Sequence, residues 1–253
     1  MKITFLGTGT SQGIPVIGSD HPVCLSTNPK DKRLRVSVLV EWDDFAYVVD
    51  CGPDFRQQML RTNCHRIDGV IFTHEHADHT AGLDDIRPFY FRQGDIPFYA
   101  HKRVLGELKK RFDYIFTTKK KYPGVPSVIQ HEIKNKSFKL GDLDVVPING
   151  CHHKLQVFGF RFGDFAYLTD MKTVADEEVD KLKGVKVLVV NALREKEHLS
   201  HFNIAEALAF IDKVQPETAY LTHISHYLGF HDEVQQKLPK NVFLAYDNLQ
   251  LEL

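Results

Sequence analysis

The stretch Thr73-His74-Glu75-His76-Ala77-Asp78-His79-Thr80 places three imidazoles and the Asp78 carboxylate within six residues, directly behind the hydrophobic run Gly69-Val70-Ile71-Phe72. Neutral imidazole and carboxylate are the ligands of borderline and hard divalent ions such as Zn, Mn and Fe. Donors this close do not all face one ion on regular structure, whereas alternate residues of a loop diverge toward two. The spacing therefore predicts a metal-binding loop serving two ions. A helical zinc-protease pattern would need histidine at position 78, where this chain has Asp78. The glycine loop Gly7-Thr8-Gly9-Thr10-Ser11-Gln12-Gly13 has neither of the spacings that cradle nucleotide phosphates, so no nucleotide is expected there.

Outward from this segment the chain reads as short β-rich runs: KITFLG, SVLVEW, FAYVVD, GVIFT, IPFYA, LDVVPI, VFGFRF, FAYLTD, VKVLVVNA, TAYLT and NVFLAYD. Helix-period segments lie between them at Asp54–Cys64, Lys102–Phe112, Val174–Leu182, Asn203–Val214 and Asp232–Leu238, with Asn203 and Glu206 as a capping pair. Hairpins in each half with helices interleaved predict two mixed sheets packed face to face with helices outside, one α/β domain over residues 1–253. Asp50, His74, Asp170 and His223 each close a strand, where sheet edges open into a cleft. Phe112–Gln130, with Lys119-Lys120-Lys121, reads as a solvated surface loop.

Composition narrows the function. The chain has 253 residues, 43% hydrophobic and 26% charged, with 32 Lys+Arg against 33 Asp+Glu. A net charge of −1 argues against a protein held on nucleic acid by electrostatics. No apolar run approaches the ~20 residues of a membrane span. The start, MKITFLGTGTSQG, has too short an apolar stretch for a signal peptide, and Cys24, Cys51, Cys64 and Cys151 form no CxxC pair. Reduced thiols and a cytoplasmic location are the expectation.

The pattern strand-Thr-His-x-His-x-Asp-His resembles the signature of the metallo-β-lactamase superfamily, and the resemblance runs over essentially the whole chain. It implies a four-layer αββα sandwich of two mixed sheets with metals at one edge. Asp50-Cys51-Gly52 resembles that superfamily's early strand-end Asp-x-Gly. Carried over residue by residue, the resemblance implies that His74, His76 and His152 hold one divalent ion, that Asp78, His79 and His223 hold the other, and that Asp170 bridges both. His76 stands where di-iron redox members carry Glu, which favours hydrolysis. His79 has no counterpart in the commonest zinc β-lactamases, so a lactamase is not expected.

Within the superfamily, GTGTSQGIPVIGSDHPVC, CHHKLQVFGF, YLTD and LTHISH resemble the PhnP-type cyclic phosphodiesterases, which hydrolyse phosphoribosyl cyclic phosphate. That group carries an extra structural zinc. The matching positions here are Ser19, His21, Cys24 and His226, and because serine is a poor zinc ligand the expected donors are His21, Cys24 and His226. The same resemblance implies a homodimer.

Two ions roughly 3.5–4 Å apart produce hydroxide at neutral pH and clamp the oxygens of an in-line phosphoryl displacement. Asp78 and His201 are the candidate catalytic residues. His201 precedes the helix that opens at Asn203, matches a PhnP histidine, and is the expected proton donor to the leaving alkoxide. Asp54, just after Asp50-Cys51-Gly52-Pro53, either orients ligands or simply starts a helix. The reading is a phosphodiesterase using two divalent ions (Zn, Mn or Fe) on a small anionic cyclic phosphate or related diester. Its rivals are a tRNase Z-like RNA 3′-end endonuclease, a PqqB-like protein, and a non-catalytic binding protein on the same fold.

Overall fold

Strands form where β-branched and aromatic residues run together, and their packing follows from which faces are apolar. The computed structural model describes residues 1–117 and 122–253. Its first strands are β1 (Lys2–Gly7), β2 (Ser37–Trp42), β3 (Phe45–Val49), β4 (Gly69–Ile71), β5 (Ile96–His101), β6 (Val128–Ile133) and β7 (Phe138–Leu140). They are followed by β8 (Leu143–His152), β9 (Leu155–Phe162), β10 (Phe165–Leu168), β11 (Thr173–Val174), β12 (Val187–Asn191), β13 (Thr218–Thr222), β14 (Val242–Leu244) and β15 (Gln250–Glu252). One sheet has the order β15-β1-β2-β3-β4-β5-β6, the other β11-β8-β9-β10-β12-β13-β14 with β7 added along β8. β3 to β6 run parallel, as do β10, β12, β13 and β14. The remaining pairs, such as β1–β2 and β8–β9, are antiparallel. Both sheets are mixed, as expected.

Period-two alternation divides each central strand between two layers. Phe165 and Tyr167 of β10 join Phe5, Val49, Phe158 and Phe160 between the sheets, while Ala166 and Leu168 turn outward. That outward layer packs under the helix Ile204–Val214, whose Ala207, Phe210, Ile211 and Val214 recur at helical spacing and are all buried. On the other side Leu6, Val48, Val70 and Phe98 pack beneath the helices Phe55–Leu60, Arg87–Gln93 and Lys102–Arg111. Three apolar layers between four structural ones make the αββα sandwich.

The Asn203 cap forms as read. Its Oδ1 accepts from Glu206 N at 2.8 Å, and Asn203 N donates to Glu206 Oε2 at 2.9 Å. Other boundaries differ. The segment Val174–Leu182 yields a helix only over Asp176–Asp180, because Thr173 and Val174 pair with Cys151 and Gly150 as β11. The span Phe112–Gln130 is less loop-like than expected: Asp113–Phe116 is helical, and β6 begins at Val128. Lys119, Lys120 and Lys121 lie outside the described residues. All four cysteines are free, and among the described residues no helix is long and apolar enough to cross a membrane.

A buried polar network ties the two ends of the chain at the sheet edge, where the Thr8 carbonyl accepts from Ile224 N at 3.0 Å. Arg33, 3% exposed, donates to Thr8 Oγ1 at 2.8 Å, to the Ala245 carbonyl, and to His231 Nδ1 at 3.1 Å. Because a guanidinium only donates, His231 carries its own proton on Nε2. Burial, followed by the charges of Arg33 and Lys30, pushes the His231 pKa down from 6.5 to about 4. Between those values the unfolded chain binds a proton that the folded chain refuses. This contribution to stability is therefore complete above pH 6.5 and is lost as pH falls toward 4. Burial raises Asp247 from 3.8 to about 6, so its contribution runs the opposite way and masks part of the first. His231→Asn removes the first alone. Its thermal deficit against the parent should shrink between pH 7.5 and pH 4.5 by the equivalent of about 2 kcal/mol. A deficit independent of pH would show that His231 is not held neutral by this network.

Candidate metal centre

β4 ends at Ile71, and the chain remains irregular through His76 before a short helical turn, Ala77–Thr80. The expected loop is thus a non-helical piece followed by a helical one, and the change of period separates the donors. His74 and His76 turn the same way, with His74 Nε2 3.0 Å from His76 Nδ1. Glu75 between them pairs instead with Arg103 Nη2 at 3.1 Å. The helical turn then gives Asp78 and His79 a second direction. Two glycines let this turn sit against the loop after β3. A Cβ on Gly52 would stand 2.0 Å from the Asp78 carbonyl oxygen, and one on Gly82 would stand 1.9 Å from the Gly52 carbonyl oxygen.

Four other strand ends complete the site. Asp50 follows β3, Asp170 lies just beyond β10, His223 follows β13, and His152 is the last residue of β8. Asp50, Asp170 and His223 take left-handed φ values of 65°, 57° and 54°, turning the chain sharply where each strand stops. The first sheet thus supplies Asp50 and the segment His74–His79, and the second supplies His152, Asp170 and His223.

Hydrogen bonds fix which nitrogen of each ring is free. Thr73 Oγ1 donates to Asp50 Oδ2 at 2.8 Å and lies 3.0 Å from His74 Nδ1, so Nδ1 holds the proton and Nε2 the lone pair. His79 Nδ1 donates to Asp50 Oδ2 at 2.7 Å, and His152 Nδ1 donates to the Ser200 carbonyl at 2.8 Å. The Nε2 of His79 then lies 3.1 Å from Asp170 Oδ2 and 3.3 Å from Asp78 Oδ2. His223 Nε2 lies 3.2 Å from Asp170 Oδ1 and 3.8 Å from Asp78 Oδ2. Despite these short approaches, His79 Nε2 and both His223 nitrogens are buried without hydrogen-bond geometry to any partner. Buried ring nitrogens without a hydrogen-bond partner, set beside carboxylates, are what a cation satisfies.

Protonation states agree. Burial, then the proximity of His79, holds His74 neutral, well below the usual imidazole range, and burial lowers His152. Burial would raise Asp170, but His223 and His79 outweigh it and keep the carboxyl well below its ordinary value. Asp78 is likewise lowered against its burial by His79 and His223. His79 is raised despite burial by Asp170, Asp78 and Asp50, so three carboxylates demand positive charge at this point. The ionised carboxylates and the neutral rings of His74 and His152 are in the forms that bind divalent metal, whereas His79 would release a proton on binding one.

Ligand atoms lie within 4.8 Å of one another in three groups: His74, His79 and Asp170; Asp78, His79 and His223; and His152, Asp170 and His201. Asp170 belongs to two of them, as a bridging carboxylate would. The expected trio of His74, His76 and His152 does not gather into one such group among the described residues, although the His76 and His152 rings are 5.1 Å apart. His201 stands beside the site. Its ring stacks 4.6 Å from that of His223, and its Nδ1, 3.6 Å from Asp170 Oδ1, is buried with no hydrogen-bond partner. Burial and then His223 push its pKa down to about 2.

Asp54 does not orient a ligand, nor does its side chain cap the helix it precedes; it holds Arg35 through Nη1 at 3.0 Å and backbone N at 2.8 Å. The orienting carboxylate is Asp50, which also accepts from Thr73 N at 2.9 Å. Sequence reasoning gave no role to Thr73, the Ser200 carbonyl, or Arg111, which donates to Thr80 Oγ1 and the Glu75 carbonyl. Only Thr73, adjacent to His74, carried a signal. At the second expected metal site, the His21 and His226 rings are 4.9 Å apart and His226 Nδ1 is buried and unpartnered. Cys24 Sγ instead accepts from Val16 N at 3.5 Å, Ser19 Oγ accepts from His21 N at 3.2 Å, and His21 Nδ1 accepts from Val23 N at 3.3 Å. Among the described residues, His21, Cys24 and His226 do not form a group of three with ligand atoms within 4.8 Å.

The profile of the beta-lactamase superfamily domain matches residues 46–224. Over 253 residues the chain is 39% identical to an octanoyltransferase of Porphyromonas gingivalis, an alignment covering 99% of this chain and 51% of that protein. It is 26% identical over 190 residues to a ribonuclease Z of Bacillus licheniformis, covering 73% of this chain and 55% of that one. The chain thus spans about half the length of these two relatives. Among solved structures it is similar to a diphosphatase from the PhnP family, with 38% identity, a TM-score of 0.93, and coverage of 100% of this chain and 97% of that one.

Proposed function

The chain belongs to the beta-lactamase superfamily as a metal-dependent hydrolase, and from that membership we propose that it cleaves a small phosphate ester, a cyclic phosphate or a related diester, with two divalent ions at the edge of the two sheets. The observation that carries this reading is the set of unpartnered buried nitrogens on His79 and His223 facing the carboxylates of Asp78 and Asp170. His74, His76 and His152 would hold one ion, Asp78, His79 and His223 the other, and Asp170 both. Such ions supply positive charge to phosphate oxygens and a nucleophile at neutral pH. The similarity to a PhnP-family diphosphatase supports phosphorus chemistry. A ribonuclease reading has the likeness to ribonuclease Z in its favour and the net charge of −1 against it.

His201 would hold the proton for the leaving oxygen. Burial and the neighbouring His223 lower its pKa, so the imidazole would carry that proton only with the anionic substrate bound. His201→Ala should lower turnover about 10²–10⁴-fold while leaving metal content intact. Loss of metal in that variant would make His201 a ligand, as its proximity to Asp170 and His152 also permits. The reading as a whole is tested by metal stoichiometry on protein purified without chelator, paired with hydrolysis of bis(p-nitrophenyl) phosphate. Absence of both metal and turnover after supplying Zn or Mn would refute it.

A further inference from the structure

Beside the metal centre lies a depression of about 510 Å³ lined by His76, His152, His153, Lys154, Leu155, Leu199 and Ser200. It is broadly open to solvent, so it would cover one face of a ligand rather than enclose it. One wall is the β8–β9 hairpin. His152 pairs directly with Leu155, which leaves His153 and Lys154 as a two-residue turn, and His153 adopts a left-handed φ of 55°. Two-residue turns fix hairpin register, so Lys154 stands on a defined base two residues beyond His152. It is exposed, and among the described residues no carboxylate pairs with it. The facing wall is the segment that ends at Ser200, whose carbonyl accepts from His152 Nδ1 at 2.8 Å. Both walls are thereby anchored to the same histidine. Leu199, 71% exposed, and Leu155 make the depression apolar where it leaves the metal edge.

We propose that this slot holds the part of the substrate beyond the scissile phosphate and selects a nucleotide-like group, with a flat ring against Leu155 and Leu199 and a second anionic group at Lys154. The proposal rests on the phosphohydrolase reading for its orientation and adds the residues that discriminate between substrates. An apolar wall rewards a ring, which buries area at little cost in rotamer freedom. A lysine without a carboxylate partner offers a point charge to phosphate with no ion pair to break first. His76 and His152 place the reacting phosphate at the inner end.

The test is calorimetric binding of ADP, AMP and ribose 5-phosphate to the metal-loaded protein, beside kinetics on methyl p-nitrophenyl phosphate, whose methyl group leaves the slot empty. ADP should bind more tightly than AMP, and AMP more tightly than ribose 5-phosphate. Leu199→Ser should weaken both nucleotides about tenfold and leave ribose 5-phosphate unchanged. Lys154→Ala should bring ADP and AMP to within about twofold of each other. Both variants should keep the parent's metal content and its kcat on the methyl ester. Equal affinity for all three ligands, or variants that bind as the parent does, would overturn the slot. Nucleotide binding as described with no ester turned over would instead sink the phosphohydrolase reading and leave the slot standing.

Discussion

Asp170→Asn is expected to leave the protein folded but with at most one ion per chain, and to lower hydrolysis of a phosphate diester by at least a thousandfold. The carboxylate is 2% exposed and lies against His79 Nε2 and His223 Nε2 on opposite oxygens, with His201 a little further off. An amide keeps the shape and removes the charge, and one of its two positions becomes an N–H that cannot ligate metal. Changing a residue that merely supports a ligand costs roughly 10–100-fold in metal affinity or activity. Loss of the carboxylate shared by two donor groups should exceed that. Elemental analysis beside circular dichroism separates metal loss from unfolding. A folded Asp170→Asn protein with the parent's metal content and rate would remove Asp170 from the centre.

Arg33→Met should destabilise the fold by about 3–5 kcal/mol, because it breaks a buried charged network from one side. Methionine fills a similar volume but gives nothing to Thr8 Oγ1, the Ala245 carbonyl or His231 Nδ1, which all lose a donor. Asp247 loses a stabilising charge as well, and burial already raises its pKa to about 6. Its remaining cation, Arg61, stands 3.6 Å away. For a chain of this size the loss corresponds to a fall of about 10 °C in melting temperature. The Thr8 carbonyl also accepts from Ile224 N at 3.0 Å, beside His223, so metal content measured well below the melting point reads whether the loss reaches the site. A loss under about 1 kcal/mol would show that the acceptors find other partners, such as water.

The strands that could be read were those whose composition and burial agree. Ser37–Trp42 and Thr218–Thr222 are rich in β-branched and aromatic residues, and each packs between other layers. β6 escaped because Gln130, His131 and Glu132 leave its middle exposed at the edge of its sheet, so it lacks an apolar face. The helix Arg87–Gln93 buries Phe89 but exposes Phe91, and RPFYFRQ has no stripe at helical spacing. The residues that meet at the sheet edge were legible because they crowd into six residues or end hydrophobic runs. Their supports were not, since the link from Asp50 to His79 spans 29 residues and the link from His152 to Ser200 spans 48, and no local pattern encodes either. Of the two readings of Asp54 the helix start holds, since it immediately precedes Phe55–Leu60, while its carboxylate pairs with Arg35 rather than with a site histidine. The left-handed turn at Asp50 sends the two carboxylates to different partners.

That turn bears on how the site can change over evolutionary time. Asp50, Asp170 and His223 occupy a backbone conformation that L residues seldom take and that aspartate, asparagine and histidine tolerate better than most. Backbone and chemistry therefore draw on the same short alphabet at these three positions. A descendant released from selection for hydrolysis would still be pressed toward Asp, Asn, His or Gly there, since a β-branched replacement would strain the strand end it inherits. The outline of the ligand set can thus outlive the reaction. His74, His76, Asp78, His79 and His152 are under no such conformational demand, because none of them takes a left-handed φ. In a lineage that abandoned catalysis these should drift first, and their joint presence in a relative says more about retained activity than Asp50, Asp170 and His223 do.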